Sequence, residues 1–213
     1  MARCHRVSNE FSLEDGKFLV KLARRAIWEL LRGSKKISPP EGLDEKFLRK
    51  RGVFTTLTDH ESGELRGCIG FPFPTNPLIE AVIDSAIEAA TSDPRFPPVT
   101  LEELERRIVL ELSILTDPEP IRFKDPRECP SMIEIGEDGL IVERGWAKGL
   151  LLPQVAVEWG WDPEEFLSNC CIKAGLPPDA WLMGGTKIYK FRATIFSEKS
   201  PNGEVFEKRL KSE

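Results

Sequence analysis

Two strand-like runs joined by a short polar turn constrain this chain more than any other feature. Val53 to Thr58 reads VFTTLT, rich in β-branched and aromatic residues; the polar segment DHESGE follows, and then LRGCIGF, Leu65 to Phe71. A connection that short joins antiparallel neighbours, because a parallel pair needs a crossover of about a dozen residues or more. A β-hairpin is therefore predicted here. The other helical and strand-like segments do not alternate as a doubly wound sheet requires, so the predicted class is α+β.

Before the hairpin, Phe18, Leu19, Leu22, Ala23, Ala26, Ile27, Leu30 and Leu31 recur at helical spacing. Ser12 is placed to cap this helix, Asp15 adds negative charge to its first turn, and Gly33 ends it. SKKISPPEGLDEK reads as a loop around Pro39-Pro40. After the hairpin, Asn76 is the predicted cap of a helix with Pro77 in its first turn and Leu78, Val82, Ala86 and Ala89 as its buried stripe. DPRFPPV is a stiff loop, Thr100 and Glu103 make a capping-box pattern, and Ile108 to Leu115 alternates like a strand.

The second half partly echoes the first. Gly139 to Val142, a turn near Arg144-Gly145, and Leu150 to Leu152 read as another hairpin, after which Pro153 opens a helix. Asp162-Pro163-Glu164-Glu165 begins a further helix ended by Gly175 and Pro177. Lys187 to Phe196 reads as one long closing strand, and residues 197–213 as a polar, frayed tail.

Composition narrows the function classes. The chain has 213 residues, enough for one large domain or two small lobes, and its 30 basic and 35 acidic side chains give −5 at pH 7 with both signs scattered. A nucleic-acid groove or an anionic membrane surface is not the expected partner. No run approaches the roughly eighteen apolar residues of a membrane span, and MARCHRVSNE lacks the apolar stretch of a signal peptide, so a cytoplasmic protein is expected. The five cysteines, Cys4, Cys68, Cys129, Cys170 and Cys171, form no C-x-x-C pair, which suggests neither a disulfide framework nor a metal cage. A single glutamine, Gln154, beside abundant Glu, Lys, Arg and Pro matches the bias of proteins that work at high temperature.

The candidate site is LRGCIG. In a strand, Arg66, Cys68 and Gly70 share one face, so Arg66 and Cys68 stand about 7 Å apart. A nearby fixed cation favours thiolate over thiol, and Gly67 and Gly70 allow a ligand or another chain segment to approach the backbone. The competing reading is structural: a buried, packed cysteine and a glycine bulge. A Cys–His dyad is hard to build, because His60 sits in the turn, roughly 13 Å or more from Cys68, and His5 lies near the terminus.

Asp93 and Arg95 in DPRF would place a carboxylate and a guanidinium at a cleft, or staple their own loop as an ion pair. Thr55, Thr56 and Gln154 would orient a ligand, or make ordinary strand and cap hydrogen bonds. Cys170 and Cys171 point about 100° apart on a helix and do not converge on a metal. Trp146, Trp159, Trp161 and Trp181 form an aromatic wall or pack in the core. Nucleotide-loop and zinc-protease motifs are absent from the sequence.

LRGCIG, together with GVFTTL, NPLIEAV, DPRF, LELSIL, GLIVERG, LLLPQVAVEWGWDPEEFL and KAGL in that order, resembles the AMMECR family. The resemblance covers about Leu13 to Phe196 of a single AMMECR-type domain. It implies a largely antiparallel, barrel-like sheet built from two related halves and flanked by helices. It also implies that Leu65 to Gly70 is a functional site, with Cys68 and Arg66 as catalytic candidates. Gly67, Gly70, Thr56, Asp93, Arg95 and Gln154 are the candidates for substrate binding. Neither a reaction nor a cofactor comes with it, though relatives occur beside Memo-like and radical-SAM proteins, the expected partners. Where Asp138 stands, many relatives have histidine. Two functions stay open: an enzyme or small-ligand protein with Cys68 in a pocket, and a non-catalytic docking module in which Cys68 only packs.

Overall fold

The computed structural model describes residues 10–33 and 35–209, so Cys4 and His5 lie outside the described residues. In chain order the elements are α1 (Leu13–Leu31), α2 (Glu45–Leu48), β1 (Val53–Asp59), β2 (Leu65–Phe71), α3 (Leu78–Thr91), α4 (Leu101–Arg106), β3 (Ile108–Leu115), β4 (Glu119–Pro120), β5 (Gly139–Arg144), β6 (Ala147–Leu151), α5 (Pro153–Trp159), α6 (Pro163–Lys173), β7 (Lys187–Phe191), β8 (Ala193–Glu198) and β9 (Val205–Lys208). Two units result, one from residues 10–71, 75–113 and 194–208, the other from 72–74, 114–193 and 209.

In the first unit, α1 opens with the predicted capping box: Ser12 accepts from the Asp15 N–H, and the Asp15 carboxylate accepts from the Ser12 N–H. Its buried stripe of Leu19, Val20, Ala23, Ala26 and Ile27 faces the core. The short α2 starts inside the predicted loop, nucleated by Asp44, whose side chain accepts from the Lys46 N–H. At α3 the expectation fails by one position. Pro77, not Asn76, occupies the N-cap without a side-chain hydrogen bond, and the N–H of Leu78, which has no partner within the helix, donates to the Arg49 carbonyl at 2.9 Å. Thr100 and Glu103 box α4 as predicted.

The sheet of this unit runs β2-β1-β3-β8-β9. Alternation along β1 buries Val53, Thr55 and Leu57 toward the helices and leaves Phe54, Thr56 and Thr58 half-buried on the other face. On the helix side Thr55 Oγ1 meets Ser85 Oγ of α3 at 2.8 Å. A buried ion pair crosses this side. Arg24 Nε and Nη2 donate to Glu198 at 2.6 and 2.5 Å, its remaining donors take the carbonyls of Leu104 and Ile108, and the Leu110 N–H completes the carboxylate's shell at 3.0 Å. The predicted frayed tail contains β9, paired antiparallel to β8. Val205, only 3% exposed, supplies the apolar anchor that the surrounding charges obscure in the sequence.

The second unit carries a sheet in the order β4-β7-β5-β6. The β5–β6 hairpin forms as predicted, Pro153 takes the first helical position of α5, and Asp162 and Glu165 box α6. Cys129, Leu140, Val142, Phe166, Leu167, Cys170, Cys171 and Ile188 belong to its core. Burial pushes the Cys129 and Cys170 thiols up to about 12, so both are inert apolar fillers. The single closing strand expected over Lys187 to Phe196 is instead β7 and β8, in different sheets. Between them Arg192 turns its main chain to Thr116, donating to Thr116 Oγ1 and accepting from the Thr116 N–H, both at 2.9 Å. Asp138, 1% exposed, is held by Lys190 at 3.1 Å and Arg192 at 3.6 Å.

Helices with antiparallel sheets make this an α+β fold. The barrel-like closure implied by the family resemblance is not found: both sheets run in open orders that end in edge strands.

Candidate functional site

The predicted motif is strand β2, at the edge of the five-stranded sheet. Cys68 stands directly opposite Thr56, and Thr56 Oγ1 donates to Sγ at 3.4 Å. The main chain of Cys68 points away from β1, toward the open edge. There its N–H donates to Asp93 Oδ2 at 2.8 Å, and its carbonyl accepts from Arg95 Nη2 at 3.2 Å. Asp93 is only 4% exposed and also binds the Arg95 N–H, Nε and Nη2. The Arg95 guanidinium and the two backbone donors hold its carboxyl well below the usual carboxylate range. The DPRF ion pair thus acts as a surrogate strand, giving one acceptor and one donor to an edge that would otherwise invite pairing with another chain.

Arg66 does not serve the thiol, contrary to the sequence expectation. Its Nε lies 3.1 Å from Glu103, and Nη1 and Nη2 donate to the carbonyls of Pro97 and Pro98. The cause is α4: its capping-box glutamate draws the guanidinium along the 93–100 loop. Gly67 and Gly70 do not provide ligand clearance either. A Cβ on Gly67 would stand 2.2 Å from the Ala89 carbonyl oxygen of α3, and one on Gly70 would stand 2.3 Å from the ring of Phe54. Here the close approach comes from the chain itself.

The Cys68 thiol is shifted upward. Burial dominates, the Thr56 hydroxyl and Arg95 oppose it, and the carboxylates of Asp93 and Glu111 add to it. At neutral pH the group is a protonated thiol. Glu111, which sequence reasoning missed, lies on β3 between the buried Leu110 and Leu112 and therefore on the Cys68 face. It pairs with Lys208 of β9 at 2.9 Å, with side chains 12% and 43% exposed. Thr56, Cys68, Glu111 and Lys208 form a strip of polar groups on the sheet face away from α1 and α3. The polar interruption in LELSIL was the available signal for Glu111; Lys208 had none, because its strand was read as tail.

Of the remaining candidates, Gln154 is a buried residue in the first turn of α5, in the second unit. Thr55 is committed to Ser85. In the second unit Trp181 is 7% exposed, Trp159 stacks on Trp161 with centroids 5.9 Å apart, and Trp146 is fully exposed at its hairpin tip. Among the described residues no group of three or more His, Cys, Asp and Glu side chains is placed to hold a metal ion, and no helix is long and apolar enough to cross a membrane.

These features define an α+β protein with two open antiparallel sheets and a cysteine-bearing edge strand sealed by an Asp–Arg loop. Residues 20–196 match the model of the AMMECR1 family, and the chain belongs to that family. It is 58% identical over 187 residues to a protein of Methanothermobacter thermautotrophicus, covering 88% of this chain and 96% of the relative. A Methanocaldococcus jannaschii protein is 56% identical, covering 93% and 98%. The crystal structure of the uncharacterised protein PH0010 from Pyrococcus horikoshii is similar with a TM-score of 0.86 at 55% identity, covering 92% of this chain and 97% of that one.

Proposed function

We propose that this protein binds a small polar ligand, as an enzyme or in the service of one, on the strip formed by Thr56, Cys68, Glu111 and Lys208. One observation carries the reading: a hydroxyl, a thiol and an opposed ion pair lie half-buried on a face that neither α1 nor α3 covers, while the edge beside them is locked by Asp93, Arg95 and Arg66. Half-burial strengthens polar recognition relative to open water, and the locked edge holds the donors in place. Cys68 enters this reading as a neutral hydrogen-bonding thiol, with no resting thiolate. Service to the Memo-like or radical-SAM proteins expected from the family resemblance fits a ligand-handling role.

The test is ligand capture from metabolite extract followed by mass spectrometry. A compound retained by the wild-type chain, lost on Glu111→Ala and able to slow alkylation of Cys68 supports the reading. Retention of the same compounds by Glu111→Ala and Thr56→Val overturns it.

The docking reading draws on a different observation, the fully exposed Trp146 and the 69% exposed Trp159 of the second unit. A stoichiometric partner lost on Trp146→Ser and kept on Cys68→Ser would favour docking; loss only on Cys68→Ser would favour the strip.

A further inference from the structure

An unassigned cavity lies on the helix side of the five-stranded sheet, the face opposite the Cys68 strip. It is a half-open cleft of about 470 Å³ between α1, α4 and the turn joining β8 to β9, within the size range of small-ligand sites. Lys21, Arg24, Arg25 and Trp28 line it from α1, at the three- and four-residue spacings that put side chains on one helix face. Leu104, Glu105 and Asn202 complete the wall.

The chemistry of this wall is selective. Arg24 is committed to Glu198 and the carbonyls of Leu104 and Ile108, so it forms a fixed floor. Lys21 makes no hydrogen bond or ion pair among the described residues, and the ion pair of Arg25 is a 4.0 Å contact to Glu29. Among the described residues, one free cation and one held only by a long ion pair therefore stand at the mouth of a cavity in a protein whose net charge is −5, which marks a local anion preference against the molecule's average field. Trp28 is held in place: its Nε1–H donates to Glu105 Oε1 at 3.0 Å, and the Arg32 guanidinium lies 4.4 Å from the ring centroid. A fixed indole is a stacking platform for a flat ring. Glu105 leaves acceptor capacity for a ligand N–H or O–H.

We propose that this cavity binds a small organic phosphate built like a nucleoside monophosphate. The phosphate pairs with Lys21 and Arg25, the planar ring stacks on Trp28, and a ligand donor reaches Glu105. An anion without a ring engages only the two cations, and a ring without an anion only the indole. This site is independent of the Cys68 strip, so either can fail alone.

The experiment uses the full chain labelled with ¹⁵N and follows the Trp28 indole N–H resonance, assigned with Trp28→Phe, during titration with AMP. The Trp28 signal is expected to shift saturably with a Kd below about 1 mM, while adenosine and inorganic phosphate bind at least about tenfold more weakly. The double variant Lys21→Gln/Arg25→Gln should raise the AMP Kd about tenfold or more without changing the melting temperature. Three results overturn the proposal: no saturable shift with AMP, equal binding of inorganic phosphate, or unchanged AMP binding by the double variant.

Discussion

The two faces of the five-stranded sheet are built to opposite rules. Toward α1 and α3, the polar groups against the sheet are locked: Thr55 to Ser85, Arg24 to Glu198 and two backbone carbonyls, and Glu198 to the Leu110 N–H. Gly67 on that side exists because the Ala89 carbonyl leaves no room for a side chain. On the other face, one residue along the same strand, Cys68 meets a hydroxyl and half-buried charges with capacity to spare. Adjacent residues of LRGCIG therefore answer to different constraints, Gly67 to packing and Cys68, in the proposed reading, to recognition. A motif read as a single functional unit is two interleaved sets.

Breaking the helix side should cost the most. Glu198→Gln leaves Arg24 buried without its counter-charge and is expected to destabilise the fold by about 4 kcal/mol, measured by denaturant unfolding. Gly67→Ala drives a methyl group into the α3 backbone and should cost about 3 kcal/mol; a loss under 1 kcal/mol would show that the helix yields easily and that Gly67 is not a packing requirement.

Asp93→Asn tests the locked edge between the two faces. Losing the charge-assisted bonds to Arg95 and the Cys68 N–H should cost about 2 kcal/mol. The sign of the pH effect follows from the depressed native carboxyl of Asp93. The unfolded chain takes up its proton near the ordinary value of about 3.9, before the native state does, so the contribution is complete above that value and is lost as pH falls through it toward the lower native pKa. Asp93→Asn should therefore flatten the acid limb of the stability curve.

The open face should spare stability. Cys68→Ser is expected to change stability by less than about 1 kcal/mol, and alkylation of Cys68 in the folded protein should have its pH midpoint above the free-thiol value of about 8.5. A midpoint below that value would restore a thiolate and remove the contrast between the faces. Lys208→Gln removes a half-exposed ion pair and should cost about 0.5 kcal/mol or less, so ligand capture is its sensitive readout.

Much of the fold was legible because its signals are local. The capping boxes at Ser12, Thr100 and Asp162 each close within three residues, and both hairpins announce themselves by alternation around a short turn. The same-face placement of Arg66 and Cys68 followed from period two, yet the partner of Arg66 did not, because Glu103 lies 37 residues away and competes through a helix cap that already needs it. Pro77 was misplaced by one residue because the donor it leaves free finds the distant Arg49 carbonyl.

The sequence by itself determined the α+β class, the starts of α1, α4, α5 and α6, the cysteine-bearing strand and the loop ion pair, since caps, periodicity and short-range charge act over a few residues. Only the tertiary structure decided that the sheets stay open, that Glu111 meets Lys208 across 97 residues, and that burial rather than a guanidinium sets the state of the Cys68 thiol. Those outcomes depend on which surfaces exclude water together, a property of the assembled layers that no local window of residues contains.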